Sequence, residues 1–174
     1  MKRTSSVLKR CFHEKKGMEP MKLPAYIEGS FAEWRQSFSF FEEVSVRFSE
    51  TDMFGHMNNV TPFIYFEEAR ISYFKHLQTM DHLADSESRT IPVVASQQCD
   101  YHMQVMLHEN LKIGVKTAAV GTSSLTLHYL AENKAGTPCF TGTAVMVQIA
   151  KNTGKPESWT EDQRLKLLGT FPEK

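Results

Sequence analysis

Three cysteines in 174 residues, Cys11, Cys99 and Cys139, cannot make a complete disulfide set, and none lies in a C-x-x-C pair. That excludes a disulfide-stapled secreted scaffold and predicts reduced thiols in a cytoplasmic protein. The chain also lacks an excess of either charge: 20 basic residues balance 20 acidic ones, and the isoelectric point is about 7.1. A dedicated nucleic-acid binder carries a basic surplus, so no nucleic-acid partner is expected. No apolar run approaches the roughly 18 residues of a membrane helix, and mean hydropathy is −0.37, so no membrane partner is expected either. There is no G-x-S-x-G elbow, no glycine-rich phosphate loop and no H-E-x-x-H pair among the seven histidines. No metal site and no cofactor are therefore expected.

What is present is an ordinary globular composition, 41% hydrophobic, with twelve Phe and nine Met to build a large interior. Charge is uneven along the chain: residues 1–20 hold six basic and two acidic side chains. With no apolar core of its own and no signal-peptide pattern, the segment 1–21 reads as a basic extension without intrinsic order. Residues 22–174 read as one domain.

Phe31, Trp34 and Phe38 at helical spacing predict a short helix over about 30–38. "FFEEVSVRF" then alternates, with Val44, Val46 and Phe48 on one face and Glu43, Ser45 and Arg47 on the other, which predicts a strand running through Phe48. A polar loop follows. After it, "VTPFIYFEEARISYFKHLQ" has helical periodicity, with Pro62 suited to the first turn and Asn58 or Asn59 as the N-cap. At 100° per residue, Thr61, Glu68, Ser72 and Lys75 form a polar stripe, while Glu67 and Arg70 fall inside the apolar arc, one turn apart. That phase predicts a buried Glu67–Arg70 pair and a solvated Glu68. Residues 78–90 read as a loop. Strands are predicted near 91–101, 111–120, 124–133 and 139–149, and a last short helix closed by Gly169. One strand, one enclosed helix and four closely linked strands is an α+β order with an antiparallel sheet.

The polar loop between first strand and helix, with Glu50, Asp52, Gly55, His56, Asn58 and Asn59, is where chemistry concentrates. A carboxylate seven positions ahead of exposed helix N–H groups has a useful geometry. Those N–H groups hold an oxygen as it gains charge, and the carboxylate attacks the carbon or deprotonates water. On spacing alone, a loop whose Asp, Asn and Gly only shape a turn explains the same residues.

The stretch "VRFSETDMFGHMNNVTPFIYFEEARISYF", residues 46–74, resembles the entry motif of the hotdog-fold acyl-CoA thioesterases, in particular the 4-hydroxybenzoyl-CoA thioesterase-like family. The shared features are a strand ending in R-F/Y, a D-x-x-G-H-x-N-N loop and a helix with Y-F-E-E-A-R. The resemblance covers about residues 40–150. It implies an antiparallel sheet wrapped around the helix at 60–77, assembled as a homodimer or homotetramer with sheets paired edge to edge. It implies Asp52 as the catalytic carboxylate, as nucleophile or general base, and a backbone N–H near Asn59 as the group that polarises the thioester carbonyl. It implies Ser123 and Ser124 as contacts for the pantetheine or phosphates of the acyl-CoA, with Lys112 and Lys116 as candidate helpers. Gly55, His56 and Asn58 complete the substrate-binding set. Glu67 joins it if it lines the acyl pocket of a neighbouring subunit. The activity implied is hydrolysis of an aliphatic or aromatic acyl-CoA to free acid and CoA. The alternatives are a non-catalytic acyl-CoA sensor on the same fold, and a dehydratase with His56 as its imidazole.

Overall fold

The computed structural model describes residues 23–79 and 88–169; the basic extension 1–21, the centre of the 78–90 loop and residues 170–174 lie outside the described residues. The elements are α1 (Phe31–Gln36), β1 (Phe40–Ser45), a 3-10 turn (Phe48–Glu50), α2 (Thr61–His76), β2 (Thr90–Tyr101), β3 (Asn110–Val120), β4 (Ser124–Asn133), β5 (Pro138–Ala150) and α3 (Glu161–Leu167). The strands form one antiparallel sheet in the order β1-β3-β4-β5-β2. Register shifts at Val94/Ser96 in β2 and Thr117/Ala119 in β3 mark bulges, which bend strands and increase twist. The result is the expected α+β hotdog arrangement, with β1 and β2 as the two edges.

Alternation along β4 separates the faces of the sheet. Leu125, Leu127, Tyr129 and Ala131 join the core built on α2, with Tyr65, Phe66, Tyr73 and Phe74 of that helix. Leu130 joins a second cluster with Ile27, Trp34 and Phe38, which places α1 on the opposite face. The α1 helix starts with a reciprocal capping box, Ser30 with Glu33. Its Trp34 Nε1 donates to His128 Nδ1 at 3.0 Å. Lys116 Nζ lies 5.3 Å from the Trp34 ring centre and 5.0 Å from that of Phe38. Lys112 pairs with Glu43 of β1 at 3.7 Å.

Gly142 of β5 lets α2 approach the sheet: a Cβ there would stand 2.5 Å from the Phe66 ring and 2.7 Å from the Gln98 carbonyl. Phe66 in turn stacks on Tyr129, ring centres 4.2 Å apart.

Three expectations need correction. The first strand stops at Ser45, and Phe48 is 79% exposed rather than inward. The chain turns there because the Glu50 carboxylate accepts the Arg47 N–H at 2.8 Å and the Arg47 Nε at 2.9 Å, closing the 3-10 turn. The N-cap of α2 is Val60, not an asparagine; Asn58 Oδ1 instead accepts the Val60 N–H at 3.2 Å, outside the helix. The helix phase is also rotated. Glu67 is exposed beside Glu68, Ile64 and Ile71, while Thr61 is buried and donates to the Glu50 carbonyl at 3.2 Å. Arg70 is buried, but its partner is the Tyr129 hydroxyl at 3.2 Å, not Glu67. The reason is that α2 lies across one face of the sheet and leaves its outer side open, so a carboxylate there needs no buried partner.

Candidate active site

The loop from Arg47 to Val60 is a wound, hydrogen-bonded structure hung on Glu50. That residue is 7% exposed and accepts from Arg47 and, at 2.7 Å, from the Tyr65 hydroxyl of α2. Burial pushes the Glu50 carboxyl up, but the hydrogen bonds from Arg47 and Tyr65 outweigh it and hold its pKa below the usual value. The Glu50 carbonyl accepts the Asn58 N–H at 2.7 Å, so one residue ties both ends of the loop. The sequence placed Glu50 in this loop without a role; the signal available was an acidic side chain three residues after Arg47.

Asp52 begins the tight part of the loop. Its Oδ1 accepts the backbone N–H groups of Phe54 at 2.8 Å and His56 at 3.1 Å. Its own N–H donates to the His56 carbonyl at 2.8 Å, and Gly55 takes a φ of +80°, where glycine carries no Cβ penalty. The turn-shaping role and the candidate catalytic role therefore coexist in one carboxylate. Oδ1 shapes the turn, and Oδ2 makes no hydrogen bond among the described residues.

At the other end of the loop the Asn58 carbonyl accepts the Thr61 N–H at 3.0 Å, and the Phe63 N–H goes to Val60. The Asn59 N–H has no hydrogen-bond partner among the described residues. This donor, free among the described residues, thus lies two residues ahead of the first residue of α2, not on its first turn.

A cleft of about 400 Å³ is lined by Asp52, His56, Asn58 and Asn59 on one wall and by Tyr101 to Val105 on the other. The walls are joined by Met57 N–H to the Val105 carbonyl, 2.8 Å, and by a backbone bridge between His56 and Met106. His102 in the second wall shares a 2.9 Å hydrogen bond between Nε2 and Thr141 Oγ1. Burial lowers its pKa despite nearby Asp100. The sequence marks this second wall as a strand end at 101 followed by a turn, because nothing local shows residues 101–105 facing residue 59.

Of the expected site residues, Asp52, His56, Asn58 and Asn59 line one cleft and Gly55 sits in its turn. Glu67, two turns into α2, lies outside it, as do Ser123 and Ser124 at the β3–β4 turn. There the Ser124 carbonyl accepts Trp159 Nε1 at 3.1 Å, and the Ser123 carbonyl accepts the Gln148 N–H at 2.8 Å. Among the described residues no three His, Cys, Asp or Glu side chains converge as a metal site, and no helix is long and apolar enough to cross a membrane.

Residues 46–167 match the model of the thioesterase-like superfamily. The chain is 66% identical over 150 residues to the uncharacterized protein YsmA of Bacillus subtilis (strain 168), covering 86% of this chain and 99% of that one. Among solved structures it is similar to a predicted thioesterase from Bacillus stearothermophilus, with 31% identity and a TM-score of 0.67 over 78% of this chain and 98% of the other. It is also similar to a thioesterase from Thermus thermophilus complexed with coenzyme A and Zn, with 30% identity and a TM-score of 0.64 over 78% and 96%.

Proposed function

The chain belongs to the thioesterase-like superfamily, and on that footing we propose that it hydrolyses the thioester of an acyl-CoA, aliphatic or aromatic, to a free acid and CoA. The observation that carries the reading is the pairing, on one cleft wall, of a carboxylate oxygen and a backbone N–H that have no hydrogen-bond partner among the described residues, those of Asp52 and Asn59. The Asn59 N–H holds the thioester oxygen as negative charge develops on it. Asp52 Oδ2 delivers the second reactant, either by taking a proton from water or by attacking the carbon and being released by water. In both routes the C–S bond breaks, the oxygen from water is gained by the products, and the sulfur leaves to be protonated as the CoA thiol. His56 and Asn58 border the same space and are proposed to orient the water and the acyl group.

The assembly proposed is a homo-oligomer formed through an open sheet edge. The β2 edge and the outer side of α2, with exposed Val94, Ile64 and Ile71, support that choice. In such an assembly Glu67, exposed between Ile64 and Ile71, would meet a neighbouring subunit, where it would border the acyl pocket. Ser123 and Ser124 are proposed to meet the pantetheine or phosphate portion of the substrate, outside the cleft just described.

The test is release of free CoA thiol from a panel running from acetyl-CoA to long-chain acyl-CoA and hydroxybenzoyl-CoA, with wild type and Asp52→Asn. Asparagine keeps an Oδ1 for the Phe54 and His56 N–H groups, so the turn and melting temperature are retained. Its kcat is expected to fall at least about a hundredfold. An Asp52→Asn protein with near-normal kcat would sink the mechanism, and no turnover of any panel member by wild type would favour a non-catalytic acyl-CoA binder.

A further inference from the structure

The walls of the cleft are tied twice. At the His56 end the tie is backbone to backbone. At the Asn59 end it is a single side chain: the Tyr101 hydroxyl at the end of β2 donates to the Asn59 carbonyl, from 42 residues away in sequence. A carbonyl only accepts, so this bond requires the protonated phenol. Burial is the first cause that pushes the Tyr101 pKa up to about 12, with the Cys99 thiol adding to it, so the hydroxyl keeps its proton throughout the working range.

We propose that Tyr101 is a positioning residue for the electrophilic N–H of Asn59. The inference rests on the thioesterase reading above and adds to it a residue of the second wall. Asn59 lies between two peptide planes. The plane that carries its N–H is held by the Asn58 carbonyl, which accepts from Thr61. The plane that carries its C=O is held by Val60 N–H to Asn58 Oδ1 and by Tyr101. With both planes fixed, the φ and ψ of Asn59 are set and its N–H stays aimed. Without Tyr101, the hydrogen bond that restrains the carbonyl side of this exposed loop-end residue, among the described residues, is the 3.2 Å contact of Val60 N–H to Asn58. Small errors in aim matter, since a donor acts only near the position the developing oxyanion will occupy. Tyr101 is half exposed at an edge, and its ring is absent from the main core, so its hydroxyl can be removed without emptying the interior.

The test is Tyr101→Phe beside wild type, measured on the acyl-CoA of the panel that wild type turns over fastest. A second arm measures affinity for two inert CoA probes, an S-hexyl thioether without a carbonyl and a ketone analogue in which CH2 replaces the sulfur of hexanoyl-CoA. The expected result is a fall of about tenfold in kcat, equivalent to about 1.4 kcal/mol of transition-state stabilisation. The ketone is expected to lose its affinity advantage over the thioether, with melting temperature and oligomeric mass unchanged. Tyr101→Gln, which retains a donor, should recover part of kcat. A kcat within twofold of wild type, or equal weakening of both probes with a lowered melting temperature, overturns the proposal. Wild type that turns over no panel member removes the reaction itself and the role with it. Active wild type beside an unaltered Tyr101→Phe variant removes the role alone.

Discussion

The Tyr65 hydroxyl donates to Glu50 Oε2 at 2.7 Å, and this bond helps fasten the central helix to the loop that presents Asp52 two residues later. The same oxygen accepts the Arg47 N–H, and the Glu50 main chain holds Asn58 and Thr61. The loop that carries Asp52 is therefore positioned from below by a buried carboxylate, and not by its own turn residues alone.

Tyr65→Phe removes that hydrogen bond to a charged group and is expected to cost about 1.5–3 kcal/mol. In urea the midpoint should fall with the slope unchanged. A pH dependence accompanies it. The Glu50 pKa is lowered in the folded protein, so its stabilisation is present near neutrality and lost as pH falls below the ordinary value of 4.5 through the folded value. The stability gap between wild type and Glu50→Gln should therefore be largest near neutrality and narrow in acid. A gap independent of pH would contradict the assignment.

Arg70 and Tyr129 should behave as a coupled pair across the helix–sheet interface. Arg70→Met and Tyr129→Phe, made singly and together, are expected to give a double-mutant coupling of about 1 kcal/mol in chemical denaturation. Glu67→Gln, on the exposed side of α2, should change subunit stability by less than about 0.5 kcal/mol. Additive single changes at 70 and 129 would contradict the Arg70–Tyr129 pair, and a large loss of subunit stability from Glu67→Gln would contradict the outward placement of Glu67.

His128 should make the protein less stable in mild acid. Burial, with Lys116 adding repulsion, lowers its pKa from 6.5 to about 4. The unfolded chain thus binds the extra proton in that interval, and stability falls as pH drops from 6.5 towards 4. His128→Gln, which keeps an acceptor for Trp34 Nε1, should show a shallower decline of melting temperature across the interval than wild type. The slope of the His128→Gln protein will not vanish, because burial also lowers the His102 pKa. Identical slopes in the two proteins would show that His128 is not the titrating group.

Strands and helices were legible because their signals repeat over short distances. The expected strands 91–101, 111–120, 124–133 and 139–149 differ by at most one residue at either end from those observed. Asp52, Gly55 and the two asparagines were legible because a wound loop needs those residue types in that order. The phase of α2 was not, since Ile64 and Ile71 are apolar on the side that faces out. A wheel crowded with apolar residues has no unique buried direction. Nor was the end of β1 legible, since alternation continues through Phe48 while the Glu50 carboxylate turns the chain at Arg47.

The sequence by itself determined the element order, the α+β class and the loop that holds Asp52 and Asn59, because backbone geometry converts residue spacing directly into period-two and period-3.6 patterns. Only the tertiary structure decided that Tyr101 stands opposite Asn59, that Arg70 meets Tyr129 and that Glu67 faces outward. Those meetings span 42 and 59 positions of chain. They follow from strand register, from bulges that bend the sheet and from the glycine at 142 that lets α2 settle against it, none of which a local pattern of side chains encodes.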